Sequence, residues 1–321
     1  MERSGISTLP GILTICAMLV SGAAYGQVDW KPAGTIAGGI VESLSIGADG
    51  ALYAATFDGG ISRSVDSGVS WASVSDDIPS GNFFTVLATE QGPVYAGTFG
   101  GGVFRSDDHG NTWYEVNNGL TSREVLSLAT TPDGLILAGT AYAGIFVSGD
   151  GGASWSGAGL PNTFVKSIEV ASDGTIYVGC SDSGVFRSED NGESWARVNY
   201  GLTSTDVWSV VCDETGAVYV ATNGSGIYRS NDKGNRWVEV NTGLETPNVG
   251  ALAITKSGSL LAGTNQGVFT SVNGGTSWTK ACRGLPECGV RSFALTDNGT
   301  VYLGTIGHGV FRSLEPAISM K

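Results

Sequence analysis

Short apolar runs alternate with polar, glycine-rich turns along most of this chain. After Trp113 the runs read VLSLA from Val125, LILAGT from Leu135, GIFVS from Gly144 and a fourth around Trp155. Their length, their β-branched and aromatic content and the small polar residues that bound them predict strands. Pro132-Asp133-Gly134 separates the first two runs, and Asp49-Gly50, Asp173-Gly174 and Asn298-Gly299 stand at the same place in other copies. Asp-Gly and Asn-Gly tolerate the positive φ that tight hairpins require, so these pairs predict strand-to-strand turns. No stretch of the mature chain sustains a 3.6-residue period, which predicts almost no helix.

The pattern is a repeat. Tryptophan stands at Trp30, Trp71, Trp113, Trp155, Trp195, Trp237 and Trp278, at intervals of 40 to 42 residues. In step with it run ISRS from Ile61, VFRS from Val103, IFVS from Ile145, VFRS from Val185, IYRS from Ile227, VFTS from Val268 and VFRS from Val310. A third phrase precedes each of these, from LYAAT at Leu52 to VYLGT at Val301. Four antiparallel strands every ~41 residues make a propeller blade. The expected fold is all-β, a single seven-bladed β-propeller of four-stranded antiparallel blades. The chain opens on a lone Trp-bearing strand near Trp30 and stops on the third strand of a blade, Val310 to Ser313. Residues near Val28 to Pro32 are therefore expected to supply the missing strand, so that the N-terminal strand closes the ring and covers two open β edges.

Composition narrows the class. The 321 residues include 50 glycines, with 41% hydrophobic and 15% charged positions, too apolar for a disordered chain. Seventeen Lys and Arg against 30 Asp and Glu give a net charge of −13, which argues against nucleic acid or an anionic membrane as partner. Arg3, the apolar run Leu9 to Val20 and the small residues through Ala24-Tyr25-Gly26 predict a secretory signal peptide over 1–26. That run is too short to span a bilayer core of roughly 30 Å, and no later segment reads as transmembrane. Ile15 stands where a lipid-anchored Cys16 would need a small residue. The expected organisation is a leader over 1–26, a propeller over 27–314 and a tail over 315–321, secreted or periplasmic and monomeric.

Between the third and fourth strands lies a repeated octet: SVDSGVSW from Ser64, SDDHGNTW from Ser106, SGDGGASW from Ser148 and SEDNGESW from Ser188. SNDKGNRW from Ser230 and SVNGGTSW from Ser271 are degenerate copies. This resembles the Asp-box, or BNR, motif, and the resemblance covers Asp29 to Ser313. Families with the motif include sialidases, xyloglucan-cleaving endoglucanases, sortilin-type receptors and photosystem II assembly propellers. What they share is the fold, so the motif selects no function by itself. Physically, an aspartate at the turn accepts backbone N–H groups, the glycine takes positive φ and the tryptophan packs between sheets. Asp66, Asp108, Asp150, Asp190 and Asp232 are accordingly expected to be scaffold, since the octets lack the alternating ligands and final Glu of a calcium loop.

Positions that agree across the copies hold the scaffold, and positions that diverge are free to serve a partner. The recurring Arg63, Arg105, Arg187, Arg229 and Arg312 fall in the first class. The arginine cluster and tyrosine nucleophile that sialidase resemblance would imply are not visible among the rest. The loops on the face opposite the octets are near minimal in length, which disfavours an elaborate catalytic cleft. Divergence is greatest at the second position of each first strand: Glu42, Phe84, Leu126, Lys166, Trp208, Gly250 and Arg291. Aromatic side chains beside mixed charges are what a recognition surface uses. Hairpins on the same face add Phe57, Asp58, Phe99, Tyr142, Asp182 and His308. Glu42 and Asp58, in one blade, are the weak candidates for the carboxyl pair of a glycosidase. The two histidines, His109 and His308, lie apart, so no metal site or cofactor is expected. Cys282 and Cys288 flank a short loop and are expected to form a disulfide, whereas Cys180 and Cys212 end strands at opposite faces and should stay reduced. The expected function is a non-enzymatic binding or assembly scaffold with a protein or carbohydrate ligand. The alternative is a polysaccharide-active glycoside hydrolase or carbohydrate-binding module.

Overall fold

A computed structural model describes residues 28–79 and 82–314. The expected leader and tail lie outside the described residues. Twenty-eight strands, β1 to β28 in chain order, form seven four-stranded antiparallel sheets, with no helix among the described residues. β1 (Trp30–Pro32) precedes a first blade of β2 (Val41–Ile46), β3 (Leu52–Thr56), β4 (Gly60–Ser64) and β5 (Ala72–Ser73). The first strands of successive blades contact one another and so ring the axis. The result is a seven-bladed propeller. Its last sheet runs β1, β28 (Val310–Ser313), β27 (Val301–Thr305), β26 (Val290–Leu295), with Trp30 opposite Ser313 and Pro32 opposite Phe311. The proline occupies an outermost strand, where its missing N–H removes no ladder bond.

The second strand of each blade is the core. Its residues are buried from end to end in LYAAT, VYAGT, VYVAT, LLAGT and VYLGT alike, because a neighbouring blade covers each face. The two-residue outer strands are exposed. Blades are drawn together closely: a Cβ built on Gly139 would stand 2.4 Å from Val165 Cγ1 on the next blade. Only hydrogen fits there, which accounts for glycine in the AGT phrase.

Several kinds of hydrogen bond tie blade to blade. Each motif indole N–H donates to a backbone carbonyl of the preceding blade's rim, as in Trp155 to Val116 at 2.7 Å and Trp237 to Val198 at 2.6 Å. The ring closes on the same bond, Trp30 to Ala281 at 2.8 Å and Trp71 to Ala33 at 2.7 Å. Four of the recurring arginines reach the next octet turn, as in Arg105 to Gly151 O at 2.7 Å and Arg312 to Ser67 O at 3.1 Å, while Arg63 bonds Asp49 of its own blade at 2.9 Å. Near the axis, serines cap the bare edge of the adjoining first strand, with Ser43 Oγ accepting from Val86 N at 3.2 Å and Ser167 Oγ from Val210 N at 3.2 Å. Glu169 does this with a carboxylate, Oε1 accepting from Cys212 N at 3.0 Å, and burial lifts its pKa to about 7.

The octets are self-contained turns. Asp66 Oδ1 accepts from Ser64 Oγ and from Ser70 N, at 2.8 and 2.9 Å, while Ser64 Oγ accepts from Gly68 N at 2.9 Å. The same set recurs around Asp108 and Asp150. Bonds donated by Ser70 and Ser64 hold the Asp66 carboxyl down at about 2. These side chains spend their acceptors on the turn, as the scaffold reading requires.

The expected Cys282–Cys288 disulfide is not formed, and all four described cysteines are free thiols. The reason lies in the repeat. Four residues after the motif tryptophan, Ser75 Oγ and the Oδ1 atoms of Asn117, Asn199 and Asn241 each accept from a third-strand N–H at 2.7 Å. Cys282 holds that post in its blade, its Sγ turned to Val268 N at 3.2 Å, while Cys288 is buried beside the start of β26. Cys180 and Cys212 are likewise reduced, and burial raises the Cys180 thiol to about 12.

Candidate functional site

In every blade the first strand carries a β-bulge just where the sequence copies diverge. Val41 pairs with Thr56 and Ser43 with Ala55, leaving Glu42 as the extra residue, and the same shift recurs after Phe83, Val125, Val165, Val207, Val249 and Val290. A bulge frees one residue from the ladder and re-aims its side chain. All seven bulge residues, Glu42, Phe84, Leu126, Lys166, Trp208, Gly250 and Arg291, line a single cavity of about 210 Å³ at one mouth of the channel. The scaffold thus presents seven independently variable side chains to one point.

Trp208 is the centre of this mouth. Its indole N–H donates to Asp206 Oδ1 at 2.9 Å, and that carboxylate is fixed in turn by Ser181 Oγ at 3.0 Å and Asn223 Nδ2 at 3.1 Å. Two cations lie on the ring: the Arg291 guanidinium carbon at 4.5 Å from its centroid and Lys166 Nζ at 5.5 Å. Lys166 also sits 4.8 Å from the Phe164 ring. Arg291 reaches Trp208 across the sixth blade, whose bulge residue is Gly250. A Cβ on Gly250 would touch Arg291 Cδ at 3.8 Å, so a longer side chain would contest its path.

Neither cation forms an ion pair within 4.0 Å among the described residues. Arg291 Nε is buried without a hydrogen-bond partner. Burial pushes the Glu42 carboxyl above the ordinary range, against the pull of Arg291 and Lys166. Burial, with Arg291 adding to it, lowers the Lys166 ammonium.

The predicted hairpin residues divide. Phe57 and Phe99 pack on Phe84, with ring centroids at 5.6 and 5.8 Å, making an aromatic trio on one side of the mouth. Tyr142, at φ 67°, stands edge-on to Phe164 at 5.2 Å, and both line a second cavity with Lys166, Asp182 and Trp208. Asp58 does not line the Glu42 cavity; it is exposed and its Oδ1 accepts from Gly39 N at 2.9 Å. His308 is exposed, and only its backbone N–H is engaged, with Thr305 Oγ1. The sequence reading did not pick out Phe164, or the pocket of about 200 Å³ that Val249, Val290 and Ile306 form beside Trp208 and Arg291. Val249 and Val290 precede their bulge residues, and that register was the signal. No group of His, Cys, Asp and Glu suited to a metal occurs among the described residues.

A family model described as DUF6242 beta propeller domain matches residues 161–305. No curated protein matches the sequence. Among solved structures, the chain is similar to the extracellular domain of the BT4673 one-component system from B. thetaiotaomicron, with a TM-score of 0.72 at 18% identity over 90% of this chain and 40% of that one. It is similar also to the GH74 xyloglucanase from Xanthomonas campestris, at 0.71 and 20% identity over 91% of this chain and 54% of that one. A third likeness is to YCF48 bound to D1 peptide, at 0.76 and 12% identity over 92% and 98%. The chain therefore spans about half or less of the first two. At these identities the likeness establishes the fold. No helix among the described residues is long and apolar enough to cross a membrane.

Proposed function

We propose that this chain is an exported, non-enzymatic propeller of the Asp-box type that binds a protein partner on the channel mouth opposite the octets. The observation that carries this reading is the convergence of all seven bulge residues on one cavity, with two unpaired cations on an immobilised indole and aromatic side chains at its rim. Such a surface is apolar at its anchors and charged beside them, as protein-recognition hot spots are. The leader read in the sequence supports export, as does likeness to an extracellular domain. Likeness in size and fold to a propeller solved with a peptide supports a protein partner. The glycosidase alternative draws on the xyloglucanase likeness, but Glu42 and Asp58 do not share a cavity.

Two assays on purified mature protein test the proposal. Immobilised wild type should capture a defined partner from exported proteins of the source cell, and Trp208→Ala should lose it while Asn111→Ala, on the octet face, should not. Release of reducing ends from xyloglucan that disappears in Glu42→Ala would overturn it.

A further inference from the structure

We infer that the mouth captures the free C-terminal carboxylate of a peptide ending in an apolar residue, with the carboxylate between Lys166 and Arg291 and the last side chain in the Val249–Val290–Ile306 pocket. This rests on the mouth being the binding face. Lys166 and Arg291 line the cavity without an ion pair within 4.0 Å, in a protein of net charge −13, with Glu42 the one carboxyl of that lining, so an entering anion would offset the cost of desolvating two cations. Both cations are held in place by Trp208, and Trp208 by Asp206, so little side-chain freedom remains to be lost on binding.

The neighbouring surfaces choose among anions. The Arg291 guanidinium at 4.5 Å already covers indole surface, so Trp208 is not a free stacking platform for a sugar. The central cavity, about 210 Å³, is smaller than the roughly 300–1,000 Å³ of pockets that enclose whole small ligands, and suits a single group. Against it, sharing Trp208, Gly250 and Arg291, lies the pocket of about 200 Å³ lined by Val249, Val290 and Ile306 on its apolar side and by Asn223, Asn248, Thr264 and Asn265. An aliphatic side chain loses water against Val249, Val290 and Ile306, and the amides of Asn248 and Asn265 line the same pocket, where a peptide backbone has groups to meet them. A carboxylate one carbon from an apolar side chain is the end of a peptide.

The test reads the Trp208 indole ¹H–¹⁵N signal, assigned with Trp208→Phe, during titration with acetyl-Gly-Gly-Leu as free acid and as amide. The free acid should shift that signal saturably and more weakly in high salt. The amide, and the free acid on Arg291→Gln or Lys166→Gln, should bind at least about tenfold more weakly, about 1.4 kcal/mol. The other indole signals report that each variant is folded. Equal shifts by acid and amide would overturn the carboxylate assignment and leave the mouth as binding face. Tighter binding by trigalacturonate than by the peptide acid would overturn the peptide in favour of an acidic glycan. No response to any probe would overturn the inference, and Trp208-dependent partner capture would then decide the parent reading separately.

Discussion

Trp30→Ala removes the one large side chain of the strand that closes the ring. Trp30 is 3% exposed, its indole N–H donates to Ala281 O at 2.8 Å and its backbone N–H donates to Arg283 O at 2.8 Å. Truncating a buried tryptophan costs about 3–5 kcal/mol, a range that includes stranding the Ala281 carbonyl. Trp155→Ala is the matched control, 4% exposed with an equivalent 2.7 Å bond, but inside a continuous blade. Both variants should shift the urea midpoint down by about 1 M or more. Only Trp30→Ala should also release β1, a strand of three residues, as a local opening. Amide exchange at Lys31 and in β28 should then rise in Trp30→Ala relative to Trp155→Ala. A loss of stability below about 1 kcal/mol for Trp30→Ala, or unchanged exchange in β28, would refute closure by this strand.

Three further outcomes follow from the geometry. Burial raises Glu169 to about 7, so its protonated form is favoured on folding and its contribution is present below the ordinary glutamate pKa and lost as pH rises through 7. Glu169→Gln should therefore be more stable than wild type at pH 8 by about 1–3 kcal/mol and no more stable at pH 4, by urea unfolding at both. The octet carboxyls at Asp66, Asp108, Asp150 and Asp190 are held at about 2, so their contribution is intact above the ordinary aspartate pKa and lost as pH falls through 2. The thermal midpoint should decline over that acid range, and a flat profile would contradict the turn geometry. Unreduced, denatured protein spanning residues 27–321 should titrate four thiols with Ellman's reagent, and two would restore the Cys282–Cys288 bridge.

What could be read in advance was whatever the repeat wrote seven times. Trp71, Trp113, Trp155 and their equivalents give the blade frame because each meets the same neighbour, and the offset of Trp30 from that frame gives the closing strand. The bulge residues were visible as positions where the copies disagree. The disulfide reading failed where Cys282 was taken by its spacing from Cys288 instead of by its place four residues after Trp278, the post that Ser75 and Asn117 fill elsewhere.

Sequence alone determines the number of blades, their strand order and the side chains free to vary, because a periodic chain repeats its local physics. Which varied side chains meet is a property of the closed ring. Lys166, Trp208 and Arg291 come from three blades, Arg291 crosses a fourth past Gly250, and neither cation finds a carboxylate within 4.0 Å among the described residues. These are distances set by curvature and by bulges, and no spacing along the chain encodes them.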